Sequence, residues 1–215
     1  MTELRKKLPS EMEAFAGDFH GLLDQIGIAG GRDFLRDITP FEPVTDLASL
    51  QKFLQNYATT FLYPIELSVI CKAYSHAARY ECRELIALDQ ELSNDPNLQR
   101  FGNASSQVGR THLLNLRPLR ENRFVQRYLA ALDAGDAQAW HTLVYGISLS
   151  IYSVPLRQGL LVYTHLVLDG FAQVAGSRLS LSPKEVRAVV DEIAALAPKE
   201  IDSLLNAGEN LFKAA

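Results

Sequence analysis

The chain has 215 residues, of which 47% are hydrophobic and 21% charged, a composition ordinary for a globular protein that can bury a sizeable core. Its formal net charge of −4 gives no electrostatic reason to expect nucleic-acid binding. Cys71 and Cys82 are its only cysteines and have no paired spacing, so neither a disulfide framework nor a zinc site is indicated. Residues 1–15 are charged and lack the apolar core of a signal peptide, from which we expect a cytoplasmic protein.

A capping box near the N-terminus predicts the first helix. Ser10 and Glu13 have the required spacing, so we expect a helix from about residue 11 to residue 26, ended by Gly27. The glycine and proline residues between positions 30 and 43 indicate a loop region around a short helix.

The next helices are separated by a proline and by a turn. Thr45 or Asp46 is expected to cap a helix whose apolar stripe reaches Phe61, and Pro64 must interrupt that helix. A new helix is then expected to begin at Pro64. A break near residues 79–80 separates it from the following apolar helix.

Proline and aspartate predict the starts of three further helices. Asp95 and Pro96 resemble an N-cap followed by proline at the first helical position, opening a helix to about Leu116. Pro118 opens the next helix, which ends near residues 134–135. Asp136 is expected to cap the helix after that.

The stretch from Trp140 to Gly176 is predicted to organise the fold. Its first half places apolar residues in one stripe at helical spacing. Pro155 breaks this run and is expected to start a second helix, with Ser153 as its N-cap. The second helix is apolar around nearly its whole circumference, which suits a helix surrounded by other helices. A membrane span needs roughly 20 predominantly apolar residues, and proline and charged residues interrupt this run too early for that.

The last part of the chain completes an all-α prediction. Ser182, Pro183 and Glu185 form a capping box that starts a helix to about Leu196, and Pro198 begins the last helix. No alternating strand with hairpin turns is found. We therefore predict one all-α domain over residues 1–215, a helical bundle with a central, nearly all-round apolar helix.

No complete catalytic or metal-binding motif occurs in the sequence. It has no P-loop, no Glu-x-x-His pair and no His-Glu-x-x-His helix. His165 and Asp169 share one side of the central helix with Gln158 and Gln173, and this set could bind a metal with a partner's ligand or act as a base. Mutual hydrogen bonding or a subunit contact is the simpler explanation. We predict neither a cofactor nor a metal.

Four arginines at near-helical spacing, opposed locally only by Glu121, form a candidate docking face for an acidic protein surface. These are Arg117, Arg120, Arg123 and Arg127. Arginine forks suit carboxylates, and a solvated helix face is the alternative. Small residues within 101–114 permit close approach by another helix or by a partner.

The order of several short segments resembles the UreF family of urease accessory proteins. They are Ala104-Ser105-x-Gln107-x-Gly109-Arg110, Trp140-His141 followed by Val144-Tyr145-Gly146, and Arg178-Leu179-x-Leu181-Ser182. The similarity covers roughly residues 45–195. The family's N-terminal signature is missing, and Pro183 stands where the late motif has glutamine. The resemblance is therefore to a divergent member, whose client can differ from the usual one.

The resemblance implies an all-α, non-enzymatic and usually dimeric protein. Such a protein joins a second scaffold (UreD, also called UreH) and a GTPase (UreG) in delivering nickel to apo-urease, and it controls the state of the GTPase. Gln107, Gly109, Arg110 and Gly146 match family positions most directly and would serve partner contacts or packing.

Two other functional classes stay open. One is a small all-α enzyme or cofactor-binding protein of haem-oxygenase-like architecture, because such proteins also bury polar residues in a helical bundle of this size. The residues that could supply its chemistry are His141, His165, Tyr163, Glu81 or Cys82. The other is a dimeric scaffold unrelated to urease.

Overall fold

The computed structural model describes residues 44–96, 98–116, 119 and 121–213. These residues form nine α-helices and one π-helical segment, and they contain no strand, which confirms the all-α prediction. The helices are α1 (Leu47–Tyr57), α2 (Leu67–Ala78), α3 (Cys82–Asn94), α4 (Gln99–Asn115), α5 (Arg123–Ala134), α6 (His141–Ile151), α7 (Leu156–Leu179), α8 (Pro183–Ala194) and α9 (Ala197–Lys213). The helix and loop region predicted before residue 44 lie outside the described residues, as does Pro118.

A π-helical segment, Ala58–Glu66, joins α1 to α2 without a break and contains Pro64. The prediction that Pro64 interrupts the helix and begins a new one was therefore wrong. In an α-helix a proline removes one N–H bond, and its ring clashes with the carbonyl four residues earlier. The wider π turn accommodates the proline by shifting the hydrogen bonds to the carbonyl five residues earlier. It also places Glu66 in the protein interior, where the residue is only 6% exposed.

Helix α6 lies in the middle of the bundle and packs most extensively against α2 and α4. Every residue from His141 to Leu149 is buried. At Gly146 an added Cβ would lie 2.7 Å from the carbonyl oxygen of Ile70 and 2.8 Å from the Cβ of Ala73. Glycine at this position therefore permits the close contact between α6 and α2.

Helix α7 is the long apolar helix predicted from the sequence, and it packs against α8, α9 and α1. It begins directly after Pro155, which occupies the N-cap position. The prediction that Ser153 caps this helix was wrong, because Ser153 lies in the turn after α6 with a φ of 53°. No described helix is long and apolar enough to cross a membrane.

Local capping signals located some helix ends correctly. The Asp46 carboxylate accepts a 2.8 Å hydrogen bond from the N–H of Ser49, which confirms the predicted cap of α1. Helix α5 ends at Gly135 in the left-handed conformation, with a φ of 83°. The turn predicted near residues 79–80 separates α2 from α3, and α8 begins at Pro183.

Other predicted starts were displaced. Helix α4 begins at Gln99 and not beside Pro96. Helix α5 begins at Arg123, and the side chain of Asn122 caps it by accepting a hydrogen bond from the N–H of Val125. Asp136 does not cap α6, which begins at His141. Ser182 occupies the N-cap position of α8 but makes no side-chain capping bond, so the predicted capping box does not form.

Candidate functional site

Two hydrogen bonds join Ser105 of α4 to His141, the first residue of α6. The His141 backbone N–H donates to Oγ of Ser105 over 3.0 Å, and the same hydroxyl lies 2.7 Å from Nδ1 of the imidazole. Because the Tyr163 hydroxyl donates its proton to the Glu66 carboxylate, it accepts from the imidazole, so the neutral ring is the donor on that side and accepts the Ser105 hydroxyl proton at Nδ1. The imidazole proton then lies on Nε2, which is 3.0 Å from the hydroxyl of Tyr163 on α7.

Glu66 completes this network from the π-helical segment. Its Oε2 accepts a 2.7 Å hydrogen bond from the hydroxyl of Tyr57, and the carboxylate also accepts a hydrogen bond from Tyr163. Its Oε1 lies 4.0 Å from Nε2 of His141. A continuous chain of donors and acceptors thus connects α4, α6, α7, the π-helical segment and α1. We call this set the buried network; its members are Ser105, His141, Tyr163, Glu66 and Tyr57.

Burial sets the protonation states within the buried network. It raises the pKa of Glu66 to about 7, although the hydrogen bonds from Tyr57 and Tyr163 favour the carboxylate. It lowers the pKa of His141 to about 3, with a smaller contribution from the nearby His112. The imidazole is therefore neutral at physiological pH, which agrees with its hydrogen bonds as acceptor at Nδ1 and donor at Nε2.

A hydroxyl beside a neutral imidazole can in principle become a nucleophile. Such chemistry requires that a substrate reach the hydroxyl oxygen. Ser105 has no exposed surface and His141 is only 8% exposed, and Oγ of Ser105 already takes part in two hydrogen bonds. As arranged here, these groups satisfy one another and fix the relative positions of the helices.

A second buried carboxylate, Asp89 of α3, holds the segment that leads into α6. Its Oδ1 accepts the N–H of Gln138 over 2.8 Å, and its Oδ2 accepts the N–H of Ala139 over 2.9 Å and the hydroxyl proton of Tyr128 from α5. Ala139 has a left-handed φ of 59°. The chain before α6 is thus ordered by a side chain on another helix and not by Asp136.

The segment Ser105–Arg110, which carries the resemblance to a known family, has an inward and an outward side. Ser105 and Gly109 face α6, and a Cβ at Gly109 would lie 1.8 Å from the carbonyl oxygen of Ala139. Any larger residue at position 109 would push α4 away from the start of α6. Gln107 and Arg110 are exposed on the opposite side of α4. Of the matching residues, Gly109 and Gly146 therefore pack helices, while Gln107 and Arg110 face solvent.

Half of the predicted arginine face can be located. Arg123 and Arg127 are exposed and lie one turn apart on α5. Arg117 and Arg120 lie outside the described residues. A docking face that includes all four arginines therefore stays a prediction.

Among the polar residues that the sequence placed together on α7, the structure joins Gln173 to Asp169 by a hydrogen bond, and Asp169 interacts electrostatically with His165. The amide of Gln173 donates a 2.6 Å hydrogen bond to Asp169, and both residues line an open groove between α7 and α8. His165 does not line that groove, and its Nδ1 has no hydrogen-bond partner in the described part of the chain. The described residues contain no group of three or more His, Cys, Asp or Glu that could hold a metal ion.

The residues considered for enzyme chemistry also lie apart. His141 and Tyr163 belong to the buried network, whereas Glu81 lies in the turn after α2 and accepts hydrogen bonds from Arg79. These bonds, and to a smaller extent a hydrogen bond with His76, lower the pKa of Glu81 to about 2. Cys82 is buried at the start of α3. The structure therefore does not assemble these residues into one reaction centre.

Glu66 and Asp89 were not identified from the sequence, although each left a signal. Glu66 is the one carboxylate in the apolar run from Phe61 to Ile70. Asp89 lies four residues after Leu85 and next to Leu88, on the apolar face of its helix. A lone carboxylate on an apolar face indicates a buried hydrogen-bonded group.

The comparison with protein families agrees with the order of segments described above. The UreF family model matches residues 44–194, a range that contains α1 to α8 and all three family-like segments. The search of curated proteins found no match. Because the matched range is well over half of the chain, this protein belongs to the UreF family of urease accessory proteins.

Proposed function

We propose that this protein is a non-enzymatic scaffold in the maturation of urease, and that it binds a UreD/UreH-like scaffold and a UreG-like GTPase. On this proposal it modulates the GTPase while nickel is delivered to apo-urease in the cytoplasm, and it acts as a homodimer. Membership of the UreF family supports the accessory role. The partners and the effect on the GTPase are what the family resemblance implies.

The division of the Ser105–Arg110 segment carries the proposal. Its inward residues, Ser105 and Gly109, join α4 to the start of α6. Its outward residues, Gln107 and Arg110, are exposed and lie on the side of α4 away from that junction. One short segment therefore combines a structural side with a polar outer side that a partner can contact without disturbing the fold.

The chemistry of the outward side suits a protein partner. A glutamine amide both donates and accepts hydrogen bonds, and an arginine fork pairs with carboxylates in two parallel bonds. Arg123 and Arg127 on α5 present two more exposed guanidinium groups. A partner surface rich in carboxylates would complement these groups.

The buried network supports the non-enzymatic part of the proposal. Its one serine–histidine pair is enclosed, and each member is hydrogen-bonded to another member from a different helix or segment. Such a network stabilises a single packing arrangement of the helices. On this view the polar residues of the core maintain the shape that partners recognise.

A binding experiment tests the proposal. The tagged wild-type chain is mixed separately with the UreD/UreH-like scaffold and the UreG-like GTPase of the same organism, and the dissociation constants are measured. We expect binding to at least one, with at least a tenfold loss in a Gln107→Ala, Arg110→Glu double variant, because a buried charge-assisted contact contributes about 1.5–3 kcal/mol.

Lys199→Glu on α9 is the matched charge-reversal control, because Lys199 is exposed and lies outside the family-matched range. The melting temperature of each variant should stay close to that of the wild type. If the wild type bound neither protein, and a strain lacking the gene retained normal urease activity, the proposal would be wrong.

A further inference from the structure

The turn between α2 and α3 presents a tyrosine to solvent. The side chain of Tyr80 is 69% exposed, more than any other large hydrophobic residue in the described part of the chain. Its ring lies edge-on against the buried ring of Phe124 on α5, with a centroid distance of 6.4 Å. One side of the Tyr80 ring thus contacts the protein, and the rest of the ring is open to solvent.

The backbone of Tyr80 adopts a conformation that favours glycine. Its φ is 59°, at the position where a helix commonly ends in a left-handed residue, and any Cβ there is penalised. Glycine would end α2 with less strain. The end of α2 explains the left-handed conformation, but it does not explain why a tyrosine with an exposed ring stands there and not a glycine. A contact made by the ring is the better explanation.

Hydrogen bonds hold this turn in place. The N–H of Glu81 donates to the carbonyl of His76 over 2.9 Å, and the side chain of Arg79 donates to the Glu81 carboxylate over 2.8 and 2.7 Å. Nδ1 of His76 lies 2.8 Å from the same carboxylate. Tyr80 therefore lies on an ordered turn, and this turn would lose little conformational entropy when a partner binds.

The surroundings of the ring carry a local positive charge. Tyr80 shares a shallow groove with Arg83, Glu84 and Arg127, and Arg123 is the residue before Phe124 on the first turn of α5. Glu81 also lines this groove, but its carboxylate is already paired with Arg79. The groove is thus lined by two exposed arginines, Arg83 and Arg127, against one further carboxylate, Glu84, on a protein whose formal net charge is −4.

We propose that Tyr80 is the anchor of a docking surface, rimmed by Arg83 and Arg127, for a partner protein with an acidic surface around an apolar socket. Tyrosine and arginine are the residues most often found at the energetic centre of protein interfaces. The apolar ring enters the socket, and the guanidinium groups pair with carboxylates around it. This inference rests on the proposed function, namely that the chain acts through contacts with other proteins.

The test uses the full chain and two probes, the purified UreD/UreH-like scaffold and UreG-like GTPase of the same organism. Tyr80→Gly should keep the fold, because glycine relieves the left-handed strain, and it should weaken binding to one probe at least tenfold. Tyr152→Ala is the matched control, because Tyr152 is also exposed (41%) but lies in the turn after α6. Arg127→Glu should weaken the same complex and reduce its dependence on salt, whereas Lys199→Glu should change neither.

Each other outcome overturns the inference. If the wild type binds a probe and Tyr80→Gly binds it equally well, Tyr80 is no anchor, although the proposed function stands. If Tyr80→Gly instead changes the monomer–dimer equilibrium in analytical ultracentrifugation and leaves probe binding intact, the occupant is a second copy of this chain. If the wild type binds neither probe, this inference fails, and the proposed function fails with it if a strain lacking the gene also retains normal urease activity.

Discussion

Replacing Glu66 by glutamine tests the charge state of the buried network. Glutamine has nearly the same shape as glutamate, can still accept a hydrogen bond from Tyr57 or Tyr163, and does not titrate. In the wild type the carboxyl group has a folded-state pKa of about 7, above its ordinary value of 4.5. Between these two values the folded chain binds more protons than the unfolded chain, so the carboxyl contribution to stability falls as pH rises.

The size of the effect follows from the same two values. The interval from 4.5 to about 7, at about 1.4 kcal/mol per pH unit, corresponds to roughly 3 kcal/mol. Above pH ~7 the buried carboxyl group is ionised, and the wild type is destabilised by the full amount. Glu66→Gln has no group to ionise at this position and is not destabilised in this way at any pH. The free energy of unfolding of the variant, relative to the wild type, should therefore increase by roughly 3 kcal/mol between pH ~4.5 and pH ~7.5.

Urea unfolding of both proteins at a series of pH values measures this difference. Other titrating groups contribute equally to both proteins and cancel in the comparison. His141→Gln provides a control of opposite sign: the pKa of His141 is lowered from 6.5 to about 3, so its contribution to stability rises with pH through that interval. The stability of His141→Gln relative to the wild type should thus fall as pH rises. A difference between Glu66→Gln and the wild type that does not change with pH would refute the reasoning.

Two further predictions concern the junction of α4 and α6. Gly109→Ala should destabilise the protein by about 3 kcal/mol in thermal or chemical unfolding, because its Cβ would lie 1.8 Å from the backbone oxygen of Ala139. Gly102→Ala on the same helix meets nothing closer than 3.7 Å and should stabilise by up to about 1 kcal/mol, and an equal loss at both positions would contradict the packing argument. Asp89→Asn should cost about 3 kcal/mol in urea unfolding, because one carboxylate oxygen that accepts a backbone N–H becomes a donor. An unchanged unfolding midpoint would show that Asp89 does not hold the segment before α6.

The sequence predicted helix ends best where the signal was local. Asp46, Gly135 and Pro183 each act within one turn of their own position, and the structure confirms the helix ends that they marked. The long apolar helix was also predicted well, because burial on all sides appears directly as an uninterrupted apolar pattern.

Predictions failed where the outcome depended on distant residues. Asp89, 49 positions before Gln138, orders the segment that leads into α6. The nearby Asp136 was therefore wrongly predicted to cap that helix. Pro64 was expected to end a helix, but a π-helical turn accommodates it within the packed bundle. Neither long-range hydrogen bonding nor a change of helix type can be read from residues within one turn.

At the candidate site, too, the sequence identified residues but could not predict their contacts with distant parts of the chain. Gln107 and Gly109 were identified by their resemblance to a family, but the sequence could not tell which of them faces the core. His141 was considered as a catalytic group, yet its partners Ser105 and Glu66 come from elements far away along the chain. Only the folded arrangement distinguishes a packing residue from a contact residue.

Complementation of a strain lacking this gene, read out as the nickel content of its urease, tests the central claim most directly. The claim is that partners use the outward side of α4 and that the buried network serves only the fold. The account predicts that the Gln107→Ala, Arg110→Glu double variant is folded but fails to restore nickel loading, whereas His141→Gln restores it as long as the chain stays folded. A folded His141→Gln protein that fails, together with a double variant that restores full nickel loading, would contradict the account.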